Sequence, residues 1–266
     1  MMILIKGAGD LATGVAHRLK KCGFNIVMTE ISHPTTVRRT VAFSQAVYDK
    51  EVEVEGIKAV LAQGKQDIYK IIEQGNIPVI VDEKAEIIEE IKPEVIIDAI
   101  IAKRNLGTKI KDAEIVIALG PGFTAGVDCH CVVETQRGHY LGKTIYSGSA
   151  IPNTGVPGAI GGYTKERIIR AACEGVISPI SKIGDYVEKG DIVAYVNETP
   201  IYAEINGTVR GMLQEGIRVF KGMKSGDIDP RCEKDHCFTI SDKARSIGGG
   251  VLEAVLYLSG GYNDKL

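Results

Sequence analysis

Ile3-Leu4-Ile5-Lys6-Gly7-Ala8-Gly9-Asp10-Leu11-Ala12-Thr13-Gly14 is a short apolar run that breaks into a Gly-x-Gly turn and enters a segment of helical period. Leu11, Val15, Leu19 and Cys22 fall near one face of that helix. Strand, glycine turn and helix form the context in which Gly-x-Gly-x-x-Gly/Ala binds phosphate. Gly7 permits the tight turn, Gly9 lets backbone N–H groups come close to an anion, and Ala12 allows close helix-on-strand packing. The helix start adds orphan N–H groups, the positive end of its dipole and the first-turn residue Asp10. A second strand, Asn25-Ile26-Val27-Met28-Thr29-Glu30, ends in a carboxylate. Glu30 follows at roughly the 20-residue distance at which an acid meets a ribose 2′-OH. The bland alternative is a βαβ turn whose glycines serve geometry only.

Bulk properties bound the function. A length of 266 residues suggests about two domains. With 44% hydrophobic and 25% charged residues the chain suits a globular core. The net charge of −2, without a basic tract, points away from nucleic acid and membrane surfaces. The first apolar run is too short for a signal peptide or a membrane span. Six cysteines in such a chain read as reduced thiols, and a cytoplasmic location is expected. With no tryptophan and five phenylalanines, the core must rest on Ile, Val, Leu and Ala, as in parallel α/β sheets.

Residues 1–125 alternate strand-like and helix-like segments. Glu51 to Ile57 alternates with period 2, and Gln66 to Gln74 has helical spacing. Pro78 to Asp82 reads as a strand, Lys84 to Ile91 as a helix, and Val95 to Ile101 and Glu114 to Leu119 as strands. The expectation is a Rossmann-like, mostly parallel α/β sheet with helices on both faces. Ligands on such sheets bind beyond the carboxyl ends of the strands. Gly7, Glu30, Asp98, Gly120 and Gly122 are thereby drawn to one crevice. Asp98 either binds ligand or caps a turn. The Arg38-Arg39 pair either meets a cofactor phosphate or is solvated.

Residues 126–174 form a connecting region. Val127 to Thr135 reads as a strand carrying Asp128-Cys129-His130-Cys131. In a strand both cysteines share one face, and Asp128 and His130 share the other. Cys129, with His130 and Asp128, could carry sulfur or selenium chemistry. Both thiols could equally be small buried hydrophobes. Cys131 with Cys232, His236 and Cys237 could close a metal site, although Cys-x3-His-Cys matches no common zinc module. Ser147 to Gly158 is too rich in glycine and proline for a regular element. Nothing resembles a nucleophile elbow or a Walker A loop.

Residues 175–231 hold a repeat. Gly175, Gly184, Val187, Lys189 and Gly190 recur displaced by 32, at Gly207, Gly216, Val219, Lys221 and Gly222. Two interlocked β halves are expected. The pattern resembles the barrel-sandwich hybrid of biotinyl and lipoyl carriers. The hairpin Tyr195 to Tyr202 contains no lysine, which points away from a swinging arm and toward a docking or packing module. Residues 232–266 should form a C-terminal helix capped near Ser241-Asp242, in which Gly248-Gly249-Gly250 implies close approach of a backbone or a ligand.

Several longer motifs carry a family resemblance. They include Lys6 to Gly14, Arg38-Arg39, Leu119-Gly120-Pro121-Gly122-Phe123, Cys129-His130 with Val132 to Thr135, and Thr154-Gly155-x-Pro157. Gly226-Asp227-Ile228-Asp229-Pro230-Arg231 and Gly249 to Ala254 complete the set. Together they resemble the YqeB family of accessory proteins of the selenium-dependent molybdenum hydroxylase system. The resemblance implies a maturation role for a selenium-dependent molybdenum hydroxylase client. The N-terminal part is also similar to XdhC-type chaperones, which implies a molybdopterin dinucleotide as the bound nucleotide. The alternatives are an NAD(P)-dependent oxidoreductase and a non-catalytic scaffold. Enzymatic activity, the identity of any metal and the oligomeric state stay open.

Overall fold

The computed structural model describes residues 1–155 and 158–260. The chain forms two compact units, neither continuous in sequence. The first comprises Met1–Ser32, Phe43–Thr154 and Ile240–Leu266, and the second His33–Ala42 and Gly155–Thr239.

In the first unit the strands are β1 (Met2–Lys6), β2 (Asn25–Glu30), β3 (Glu51–Val54), β4 (Ile57–Ala62), β5 (Ile77–Val81), β6 (Val95–Asp98) and β7 (Ile115–Leu119). The short strands β8 (Thr124–Ala125), β9 (Cys131–Val133), β10 (Thr144–Ile145) and β11 (Gly148–Ser149) follow. Its helices are α1 (Asp10–Lys21), α2 (Ala46–Asp49), α3 (Lys65–Glu73), α4 (Ile88–Ile91) and α5 (Asp242–Leu258). One nine-stranded sheet has the order β10-β9-β7-β6-β1-β2-β5-β4-β3. Its interior pairs are parallel, while β10 and β3 close the two edges antiparallel. The β3–β4 hairpin comes from the alternating Glu51 to Ile57 segment, which can bury only one face.

Leu4, Val27, Ile96, Val116 and Val132 form one face of the core with Ile68 and Ile71 of α3 and with Ile91. Helix α5 packs on β7, β9, β10 and α1. Ser241 caps α5 by accepting from Ala244 N. Two of the three glycines in α5 do meet backbone: a Cβ on Gly248 would lie 2.9 Å from Gly14 O, and Gly250 faces Gly142 O. No helix among the described residues is long and apolar enough to cross a membrane.

In the second unit the strands are β12 (Ile168–Arg170), β13 (Gly175–Pro179), β14 (Tyr186–Val187), β15 (Ile192–Val196), β16 (Thr199–Tyr202), β17 (Gly207–Met212), β18 (Arg218–Val219) and β19 (Lys224–Asp229). They form two four-stranded sheets, β12-β19-β17-β14 and β16-β15-β13-β18. The repeat copies exchange strands with matching register: Gly175 pairs with Val219, and Gly207 with Val187.

The expected fold class therefore needs correction. In place of a Rossmann-like domain followed by a separate barrel-sandwich module, the chain has a large mixed sheet and antiparallel sheets. Antiparallel hairpins finish both edges of the large sheet. The antiparallel sheets recruit β12 from outside the repeat, and residues 33–42 join the same unit. The last helix is part of the first unit rather than a segment of its own. Lys84 to Ile91 yields only the single turn α4, because Ala85 and Lys92 sit at positive φ and bracket it. The Thr154-Gly155-x-Pro157 motif runs into Val156 and Pro157, which lie outside the described residues.

Helix α1 meets α5 so closely that a Cβ on Gly14 would stand 2.6 Å from the Ala244 Cβ. Gly14→Ala should cost about 1–3 kcal/mol through overpacking. A Cβ on Gly249 would have nothing within 4 Å, so its replacement by alanine should gain about 1 kcal/mol. Urea midpoints of the two variants should move in opposite directions, and a neutral Gly14→Ala would refute the close helix contact.

Candidate functional site

The carboxyl ends of β1, β2, β6 and β7 lie side by side, with Lys6 level with Thr29 on one flank and Asp98 on the other. Gly7 leaves β1 at φ 89°, a conformation that favours glycine, and its N–H donates to Thr29 O at 2.9 Å. A Cβ there would also press on Ala99 O at 3.1 Å and Ile100 Cα at 3.2 Å. Ala8 is buried, and its carbonyl accepts from Ser44 N at 2.8 Å. Gly9 is the N-cap of α1, with extended backbone and no side-chain hydrogen bond to the helix start. Asp10 lies in the first turn, where its charge suits the dipole, and Ala12 is buried.

Glu30 is tied to this turn. One carboxylate oxygen accepts from Ala8 N and the other from Ile31 N, each at 2.9 Å. Burial pushes its pKa up, and the two backbone donors offset only part of the effect. Asp98 is buried too. It accepts from Thr108 Oγ1 at 2.7 Å and Ile100 N at 3.3 Å, so it shapes the loop after β6. Lys6 Nζ donates to the same Thr108 hydroxyl at 3.0 Å and lies 3.7 Å from Asp112. This Lys6–Thr108–Asp98 chain joins groups about a hundred residues apart, and no local sequence signal marks it. Gly122 has φ 107°, and a Cβ there would meet Arg104 N at 2.6 Å. Gly120 donates its N–H to Val133 O and faces Thr135.

The Arg38-Arg39 pair lies in the second unit. Arg38 donates to His236 O and Thr239 O at 2.9 and 3.0 Å, and Arg39 to Met212 O at 3.1 Å.

The strand expected from Val127 to Thr135 shortens to β9, because Gly126 to Asp128 forms a turn. Cys129 makes only an isolated bridge with Ala125 and joins the Leu4 side of the core. Val132 shares that side, so Cys131 must face the other way, and the two thiols do not share a face. Burial pushes Cys129 up to about 12 and Cys131 up to about 11. His130 Nδ1 accepts from Val116 N at 3.0 Å, and Asp128 accepts from Thr124 N at 2.7 Å. These side chains therefore brace β7 and β8.

Of the residues expected to hold metal, Cys131 is in β9 and Cys237 is buried, with its thiol toward Val209 O. Cys232 is exposed, and His236 stands in the 3-10 turn Lys234–Cys237. Among the described residues no group of three or more His, Cys, Asp or Glu side chains could hold a metal ion.

Burial keeps Cys129 and Cys131 in the thiol form near neutral pH, so iodoacetamide should label the exposed Cys22 and Cys232 first. Peptide mass mapping should find Cys129, Cys131 and Cys237 labelled only after unfolding. Labelling of Cys129 at the Cys22 rate would show a reactive thiol. Glu30, for its part, binds its proton more tightly in the fold than in the unfolded chain. Its contribution is therefore complete below the ordinary value of 4.5 and is lost as pH rises through the higher folded value. The stability gap between wild type and Glu30→Gln should shift across the interval just above pH 4.5. A pH-independent gap would count against the buried carboxylate.

No protein-family model matches the chain. Similar solved structures include an aspartoacylase family protein of Mesorhizobium loti, 10% identical with a TM-score of 0.26 over 85% of this chain and 84% of that one. Another is a succinylglutamate desuccinylase/aspartoacylase of Rhodobacter sphaeroides, 13% identical with a TM-score of 0.29 over the same shares. At such scores the likeness itself assigns no activity to this chain. The expected roles as a selenium-dependent molybdenum hydroxylase accessory protein and as an NAD(P)-dependent oxidoreductase are withdrawn, because Cys129 is buried on a different face from Cys131 and the Arg38-Arg39 pair is spent on backbone carbonyls. Among curated proteins the chain is 52% identical over 257 residues to the uncharacterized protein YqeB of Escherichia coli K12. The match covers 97% of this chain and 48% of that protein, so the chain spans about half the length of the curated relative it matches. The chain is thus similar to YqeB along nearly its whole length.

Proposed function

We propose that the first unit binds an anionic ligand of the nucleotide class, with a phosphate against the Gly7-Ala8-Gly9 turn and the start of α1. One observation carries the reading: the N-cap Gly9 is extended and gives the helix start no side-chain acceptor. The first N–H groups of a helix need acceptors, and a phosphate oxygen supplies them along the favourable dipole. Gly7 supports the reading by holding the turn close under the helix, and its own N–H is already spent on Thr29 O. Glu30 takes the Ala8 N–H, which fixes the turn at the foot of the helix. Lys6 adds a cation at the carboxyl edge of the sheet, oriented by Thr108 and Asp112. A mononucleotide and a dinucleotide share the phosphate this arrangement would take.

Titration calorimetry with ADP and with NAD tests the proposal. Saturable binding is expected tighter than about 1 mM, or about −4 kcal/mol. Gly9→Asp would place a carboxylate over the same N–H groups. As a cap it should change stability by only a few tenths of a kcal/mol while weakening binding at least about tenfold. Absence of binding at millimolar ligand, or an undiminished affinity in Gly9→Asp, would overturn it.

A further inference from the structure

The second unit buries more cationic than anionic side chains. Arg38, Arg167 and Arg210 are 6%, 8% and 9% exposed, against 4% for Asp227 and 1% for Asp229. Both carboxylates are already engaged. Arg167 holds Asp227 through Nη1. Arg231 grips Asp229 through Nε at 2.9 Å, Nη2 at 2.6 Å and its backbone N–H at 3.1 Å.

Arg210 is left with weaker contacts. Its Nε lies 3.4 Å from His236 O and 3.8 Å from Asp229 Oδ2, and its two terminal nitrogens donate to no described residue. Burial, and then the neighbouring charge of Arg38, hold this guanidinium below its ordinary range. A charge so buried is costly unless paired and hydrogen-bonded. His236 adds a second idle group, since its Nδ1 is buried without a hydrogen-bond partner among the described residues. Its backbone carbonyl accepts from both Arg38 and Arg210.

We infer that Arg210 and Arg231, which both reach Asp229 Oδ2, form an oxyanion site for a phosphate group, carried by a small phosphomonoester or present as inorganic phosphate. The idle Arg210 nitrogens form one edge of a planar fork, which matches two phosphate oxygens. Arg231, with its side chain 43% exposed, connects the site to solvent. A dianion offsets the cationic excess without displacing either carboxylate. A merely structural ion network at these positions would show no linkage to phosphate. This site belongs to the second unit and does not depend on the Gly9 reading.

Phosphorus NMR titrations of the full chain with inorganic phosphate and with glycerol phosphate, at an ionic strength fixed by chloride, test the site. Saturable binding of at least one is expected, and the tighter of the two names the source of the phosphate. Arg210→Gln and Arg231→Gln should each weaken binding at least tenfold, whether or not Gly9→Asp is also present. If Arg210→Gln does not fold, Arg231→Gln is the deciding variant. No saturable binding of either probe by the wild type would overturn the site. So would binding that survives Arg231→Gln in the Gly9→Asp background.

Discussion

The parallel register of β1 against β2 and β6 is the constraint on which the first unit depends. Ile3, Leu4 and Ile5 are sealed from solvent, so β1 cannot shift by one residue without turning its buried set inside out. That register brings Lys6 level with both Thr29 and Asp98, and the chain must then turn at Gly7. The turn leads directly into α1. The N–H groups at the helix start and the carboxylates of Glu30 and Asp98 are thus set by backbone pairing rather than by side-chain choice.

A second constraint ties distant parts of the chain to this core. Gly14 and Gly248 let α1 and α5 approach to backbone contact, and Gly250 does the same against Gly142. Glycine in a helix costs about 1 kcal/mol relative to alanine. The cost is offset where a neighbouring backbone fills the space, and Gly249, which faces nothing within 4 Å, has no such compensation. Glu55 strengthens the same junction by accepting from Ile240 N at 2.8 Å and from Arg245 at 2.6 Å.

The sequence is legible where the physics is local. The Gly7 turn, the β3–β4 hairpin, the Ser241 cap and the repeat displaced by 32 residues all belong to this kind. Expectations fail where the outcome rests on partners far along the chain. Arg38 reads as either a phosphate ligand or a solvated charge because nothing near it in sequence reveals the carbonyls of His236 and Thr239. Cys129 and Cys131 read as a pair because period-2 reasoning assumes a continuous strand, and the turn at Gly126 to Asp128 breaks it. The strand expected to reach Ile101 stops at Asp98, and Ile101 sits at φ 60°, a conformation disfavoured for a β-branched residue. The surroundings of Arg210 leave no trace in the sequence, since an arginine in a strand carries no local mark of being buried.

The placement of a phosphate at the start of α1 is open to direct observation. In a nitrogen–proton correlation spectrum titrated with ADP, the amides of Gly9, Asp10 and Leu11 should shift saturably and by more than those of β3 and β4. A titration that leaves these three amides unmoved at millimolar ADP, or that moves only residues of the second unit, would contradict the nucleotide-binding role of the glycine turn.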